Sequence, residues 1–362
     1  MNVQTLVRQK QQDRIGTARP QGEDQQLIRA AGRLARELHK PNLTIYMADL
    51  TLSAVIGWGA LFLAIASSTL AATLGFGLVA VLALYRGVSF IHELSHLDSR
   101  VMRNFRLYWN LVVGIPVLIP SFMYEGVHNL HHVRTRYGTD RDPEYLPLAH
   151  MGPAKIATFV LGSALVPIGL LVRYALLSPL SLLLPSLRGL VVERYSSLII
   201  NPAFRRAKPE GEAARSWTML ETLTSLYAMG WIALVATGVV PFAWLATLLL
   251  VISGIAVINQ LRTLGSHLWE NEGEQLSVTE QYLDSVNVPP PSILSAIWAP
   301  VGLRYHAIHH LLPSVPYHNL GKAHRALMAD FPEGSTYRRA NYGGRGVLRS
   351  RLIRRSMSQR AD

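Results

Sequence analysis

Two long stretches of this chain carry no charged residue: 36 residues from Leu50 to Tyr85 and 40 residues from Thr222 to Leu261. A helix crosses the apolar part of a bilayer with about 20 residues, so each stretch suffices for two crossings. Turn-forming residues divide both, Ser67-Ser68-Thr69 in the first and Gly238-Val239-Val240-Pro241 in the second. The pattern predicts four spanning helices, in two hairpins, near 46–67, 70–91, 219–238 and 241–262. Two other apolar regions are interrupted: Leu107 to Tyr124 by Pro116 and Pro120, and 156–199 by Arg173, Pro179 and Pro185. Residues 24–40 follow the helical period, with Leu27, Ile28, Ala31, Leu34, Ala35 and Leu38 on one stripe, Asp24 as N-cap and Pro41 as stop. Such a helix suits the membrane interface, or a face of the protein itself. The first 45 residues are otherwise polar, without the apolar core of a cleaved signal peptide.

Composition agrees with a membrane protein. Hydrophobic residues make up 49% of 362 and charged residues 16%, against about 25% in soluble proteins. The formal charge is +12, yet all 35 Lys and Arg avoid both hairpin runs. Positive residues stay cytoplasmic, which places both termini and the central segment on that side. Basic residues flanking apolar spans meet anionic headgroups; with no nucleic-acid-binding motif, nucleic acid is not an expected partner. Arg outnumbers Lys 30 to 5, pointing to a GC-rich bacterium and so to an inner membrane. The expected organisation is a polar segment with an interfacial helix (1–44), a membrane domain (45–332) and a basic, loosely ordered tail (333–362).

Nine of the 13 histidines are grouped beside the spans. His92 and His96 (H-E-L-S-H) are four apart and share a helical face. His128, His131 and His132 form H-N-L-H-H; His306, His309 and His310 form H-A-I-H-H; His267 stands alone in T-L-G-S-H-L-W. In each HxxHH motif the first and last residues lie on one face and the middle one projects about 100° round, so one motif can serve two metals. Eight or nine imidazoles exceed the needs of one ion, and two metals are implied. Imidazole suits Zn, Cu, Fe and Ni alike. The ring tautomers require acceptors, with Glu93, Glu125, Asp140, Asp142, Glu144, Glu270, Glu274 and Asp284 near enough in sequence. Zero cysteines exclude Cys-ligated zinc, an iron–sulfur cluster and a disulfide framework.

The depth of these motifs is constrained. A helix rising about 1.5 Å per residue from residue 70 reaches the membrane boundary near 90, leaving His92 and His96 just beyond it. The fourth span ends near Arg262, so His267 lies a turn past the same boundary. Were Leu107–Tyr124 to cross once, the second cluster would stand about 30 Å away; it must be re-entrant or interfacial. Likewise 156–199 crosses twice or not at all, with no crossing expected. Gly57, Gly59, Gly75 and Gly77 can serve close helix packing or open a groove.

H-E-L-S-H after the second span, G-V-H-N-L-H-H before Y-G-T-D-R-D-P-E-Y, and R-Y-H-A-I-H-H-L-L-P-S-V-P-Y-H-N-L after the fourth resemble the three histidine boxes of membrane fatty acid desaturases, over roughly residues 45–330. HxxxH in the first box is more similar to the acyl-lipid branch. The resemblance implies an all-α integral membrane fold of four spans with a cytoplasmic helical cap. It also implies two irons on His92, His96, His128, His131, His132, His306, His309 and His310, with His267 completing the set. Glu93, Glu125, Asp284 and His318 are candidates to support the ligands, while His39 and His150 are expected on the surface and His324 on an amphipathic helix.

The activity so implied is O2-dependent desaturation of a long acyl chain on a lipid or carrier, the substrate entering from the bilayer. The family also contains hydroxylases, epoxygenases, acetylenases and carotenoid ketolases, so hydroxylation or ketone formation on a lipid, alkane or carotenoid is the alternative. With no cysteine, haem or flavin module, electrons must come from an external ferredoxin or cytochrome, whose acidic surface suits a basic cytoplasmic face. A metal transporter would need ligands inside the spans, where no histidine falls, and zinc hydrolysis would need three ligands and a base.

Overall fold

The computed structural model describes residues 22–343. Among these every regular element is helical, joined by three isolated β-bridges. Helix α1 spans Glu23–Leu38, α2 Leu43–Ala66, α3 Leu70–His96 and α4 Arg103–Trp109. A long apolar helix, α5, covers Pro153–Leu183, followed by α6 Pro185–Tyr195, α7 Gly211–Ala236 and α8 Phe242–Leu264. The C-terminal part holds α9 Val278–Asp284, α10 Leu294–Trp298, α11 His306–Leu311 and α12 Tyr317–Asp330. Five of these helices (α2, α3, α5, α7 and α8) are long and apolar enough to cross a membrane, the signature of a multi-pass membrane protein.

The two hairpins form where the uncharged runs placed them. Asn42 caps α2, its side chain accepting from Thr44 N and Ile45 N, and Thr69 caps α3. The α3 helix continues past Arg86 because that guanidinium has a carboxylate partner, Asp49 of α2, at 2.7 Å. Of the four glycines that offered close packing, only Gly57 provides it: a Cβ there would stand 2.6 Å from Leu84, whereas Gly59, Gly75 and Gly77 face open space. Gly254 makes the corresponding approach of α8 to Val81 of α3.

The fifth long helix was not legible as one element. Pro167 and Pro179 lie within it, yet the helix absorbs them. A 3-10 turn, Gly162–Leu165, precedes the first, and a π-helical turn, Arg173–Leu177, precedes the second. Both ends of 150–200 return to the histidine side. His150 Nε2 lies 3.1 Å from Glu270 O, and Ile200 N donates to Pro143 O at 3.1 Å. The segment expected not to cross thus contains a helix long and apolar enough to do so. The Leu107–Tyr124 segment likewise folds back on itself, since the Asn110 side chain accepts from Ser121 N at 2.9 Å and Arg106 at its start pairs with Glu125 at its end.

Helix α1 packs on the protein. Leu27, Ala31 and Leu34 are buried against Leu320, Ala323, Leu327 and Tyr337, and Arg33 pairs with Asp330 at 2.7 Å. Its N-cap is Gly22, with Asp24 in the first turn. The described part of the basic tail is ordered, not loose: Tyr337 is buried and its carbonyl accepts from Tyr282 Oη at 2.6 Å. Residues 1–21 of the N-terminal segment and 344–362 of the tail lie outside the described residues.

Candidate metal centre

The end of α3, a one-turn helix His128–His131, the loop after α8 and helix α11 bring nine imidazoles together. Eight fall into two quartets: His92, His96, His128 and His309 in one, His131, His267, His306 and His310 in the other. Within each quartet the ligand atoms lie within 4.8 Å of one another. Helical spacing accounts for the sorting. In H-A-I-H-H the first and last residues enter one quartet and the middle one the other; in H-N-L-H-H, His128 and His131 part company the same way. His132 joins neither quartet. Its Nε2 lies 3.1 Å from that of His128, and its ring contacts those of His96, His309 and His310 at 4.6, 4.8 and 4.3 Å between centroids.

The rings aim their Nε2 atoms inward. The pairs His96–His309, His267–His306 and His306–His310 have Nε2 atoms 3.0, 2.9 and 3.2 Å apart. Outward, His128 Nδ1–H donates to Glu144 at 2.8 Å and His131 Nδ1–H to Asp142 at 2.9 Å. An ionised carboxylate only accepts, so each Nε2 is left as a bare lone pair. Both nitrogens of buried His92 and the Nδ1 atoms of His306 and His309 have no hydrogen-bond partner. Lone pairs crowding one another and unpartnered buried imidazoles are costly unless a cation sits among them. The donor set fits two metal ions.

Burial, helped by neighbouring imidazoles, holds His128, His132, His306, His309 and His310 far below the ordinary histidine pKa, so they are neutral and ready to coordinate. Burial pulls His131 the same way, but Asp142 beside it prevails and its pKa is raised. Glu144 is pushed up to about 7, chiefly by burial.

The supporting groups differ from the sequence expectation. Asp142 is fully buried and also accepts from Gly138 N and Glu144 N. Gly138 is required there, with φ +70° and the space of a Cβ filled by Asn271. Asp284 acts at one remove: Tyr137 Oη donates to it at 2.7 Å and meets His267 Nδ1 at 2.9 Å. Glu93 stands 4.0 Å from His92 Nδ1 and instead accepts from Tyr46 Oη and Tyr317 N. Glu125 supports no histidine, because Arg106 takes it at 2.5 Å. His318 also lies off the site, accepting from Asn42 N at 3.0 Å. His39 bonds Arg36 O locally, and His324 is buried against Tyr337 Oη. The tyrosines were missed: Tyr124 bridges His128 and Glu144 at 2.9 and 2.8 Å. Only their nearness in sequence to the second box and to Y-G-T-D-R-D-P-E-Y could have marked Tyr124 and Tyr137.

Replacing Asp142 by asparagine, which can turn an N–H toward His131, is expected to weaken metal binding or activity ~10–100-fold. Metal titration of the purified variant measures it, and unchanged affinity would show that Asp142 only organises its loop.

Two comparisons with known proteins bear on this centre. The family model described as Fatty acid desaturase matches residues 67–341. The chain is 47% identical over 339 residues, 94% of this chain and 96% of the other, to a protein named ceramide hydroxylase from Caulobacter vibrioides (strain NA1000 / CB15N). No solved structure matches it.

Proposed function

The chain belongs to the fatty acid desaturase family, and on that premise we propose that it is a membrane-bound, di-iron, O2-dependent hydroxylase of a ceramide-type lipid. The observation that carries the chemistry is the pair of imidazole quartets. What supports hydroxylation over the desaturation expected from the boxes is the near full-length likeness to a protein named for hydroxylating ceramide. The histidine positions, at helix ends and not within spans, leave the transporter reading without support.

When bound, one iron per quartet would supply the reduction of O2 and the oxidation of an unactivated C–H bond, with two external electrons and two protons yielding alcohol and water. The chain's own part is placement and exclusion. Asp142 and Glu144 fix the rings of His131 and His128, and Tyr137 carries the hold of Asp284 to His267. Tyr46, Phe90, Phe105 and Tyr317 pack edge to face around Glu93, which steadies the end of α3. Burial of the quartets keeps bulk water from the reacting carbon.

In this reading α2, α3, α7 and α8 span the bilayer, α5 enters and leaves on one side, and the histidine face is cytoplasmic with both termini. The electron donor is an acidic ferredoxin or cytochrome, and the membrane is a bacterial inner membrane.

Mass spectrometry of lipids from a host expressing the protein with a ferredoxin system tests the proposal. The expected product is ceramide plus one oxygen atom, made by a protein holding about two irons. Products lacking two hydrogens would restore desaturation, and two zincs with no iron would end the oxygenase reading.

A further inference from the structure

Between α9 and α11 the chain makes an excursion whose two ends are tied together. Asn287 pairs with Tyr305 in an antiparallel bridge, and Val288 N donates to Arg304 O at 2.7 Å. The Arg304 side chain holds the same base, donating to Val288 O at 2.9 Å and Ser292 O at 3.0 Å. His306 follows the second strand of this tie at once. The tip is α10 with the residues leading into it, and its polarity is inside out. Ser295 is fully buried, its hydroxyl donating to Ser292 O at 2.7 Å, whereas Ile293, Leu294 and Ile297 are 80, 71 and 48% exposed. These three occupy positions i, i+1 and i+4 and share one helical face, with Ser295 opposite. A loop in water is patterned the other way, with the serine outside and the aliphatic side chains within.

Contacts with two long helices fix where the tip stands. The Trp298 ring closes over Gly265, the C-cap of α8, where a Cβ would come within 3.3 Å, and Trp298 O accepts from Tyr85 Oη of α3 at 2.8 Å. Tyr85 is the last residue of one uncharged run, and Gly265 comes four residues after Leu261, the last of the other. The excursion is therefore level with the histidine-side ends of two apolar helices, a depth at which tryptophan is favoured in membrane proteins. The apolar surface of these helices, exposed at Leu74, Leu78 and Leu250, needs lipid to cover it, and the tip presents the same kind of surface at its edge. We infer that residues 289–303 form a membrane-inserted loop, with Ile293, Leu294 and Ile297 entering the hydrocarbon edge of the leaflet on the histidine side, covered by lipid acyl chains and not by protein. Because His306 adjoins its base, the loop ties the last histidine motif to the bilayer at a set depth. The inference needs only the membrane fold and stands whatever reaction the centre performs.

The chain contains no cysteine, so a single introduced thiol takes a spin label at one place. Ile293→Cys, Leu294→Cys and Ile297→Cys are labelled in the full-length protein, in nanodiscs holding one chain each. Leu250→Cys in α8 serves as the lipid standard and Glu272→Cys, at an exposed charged side chain, as the water standard. Power saturation of the paramagnetic resonance signal compares collision with O2, which concentrates in hydrocarbon, and with a water-soluble nickel complex, which stays out of it. All three tip labels are expected to resemble Leu250→Cys, with nickel accessibility ~10-fold below that at Glu272→Cys, because a polar complex is costly to bring into hydrocarbon. The replaced side chains are exposed, and agreement among three sites guards against one label disturbing the loop. Nickel accessibility equal to that at Glu272→Cys overturns the inference and puts the tip in water. Shielding from both probes also overturns it, since protein would then cover the face; coupling between labels in larger discs would identify that cover as a second copy of this chain.

Discussion

Replacing His131 by alanine is expected to abolish turnover and to bring bound iron from about two to about one per chain. His131 is buried, held by Asp142 at 2.9 Å, and shares its quartet with His267, His306 and His310. Alanine removes one of four donors and leaves Asp142 buried without its main partner, which by itself costs about 1–3 kcal/mol. The other quartet shares no member with it and should keep its ion. Oxidation of a strong C–H bond needs both, so activity should fall below detection while the protein remains folded. Elemental analysis and product mass spectrometry together check this; two retained irons with full turnover would remove His131 from the centre.

The largest effect on stability is expected away from the histidines. Glu221 of α7 is buried and receives Arg173 at 2.9 Å and Arg188 at 2.8 Å. Arg173 is further held by Ser178, Ser196 and the Tyr195 carbonyl, and its guanidinium lies 4.2 Å from the Tyr174 ring centroid. Glu221→Leu would leave two cations facing one another in a poorly solvated place, and breaking one side of a buried pair costs about 3–5 kcal/mol. The fall in melting temperature in detergent should exceed that of Arg188→Leu, which leaves Glu221 paired with Arg173. Equal falls would mean that the network contributes only packing. Because Tyr174 Oη donates to Met123 at 3.0 Å, and Met123 lies five residues before His128, some loss of activity should follow.

The parts of this molecule legible in its sequence are those set by local rules. Uncharged length located four long helices within a few residues, apart from the start of α7, and the spacing inside H-N-L-H-H and H-A-I-H-H foretold which rings part company. The fold-back of Leu107–Tyr124 also followed, Asn110 meeting Ser121 across it, whereas 156–199, expected not to cross, holds a fifth helix long and apolar enough to span. What stayed hidden depends on distant partners. Arg173, Pro179 and Pro185 looked like breaks, yet Glu221 satisfies the arginine and a π-turn precedes Pro179, so only Pro185 ends the helix. Eight acidic residues stood near the boxes in sequence, and nothing local separated Asp142 and Glu144 from Glu125, whose charge Arg106 takes up. The part of Tyr137 required knowing that residues 137, 267 and 284 meet.

Each quartet draws on histidines from widely separated parts of the chain, and both include members of the last motif, His309 in one and His306 with His310 in the other. No shorter, earlier stretch of polypeptide offers a complete set of four. A nascent chain therefore leaves the ribosome and enters the lipid with its ion-binding groups still apart, and metallation falls at the end of biogenesis. With iron as the proposed metal, its supply would govern how much inserted protein becomes active, not how much is inserted.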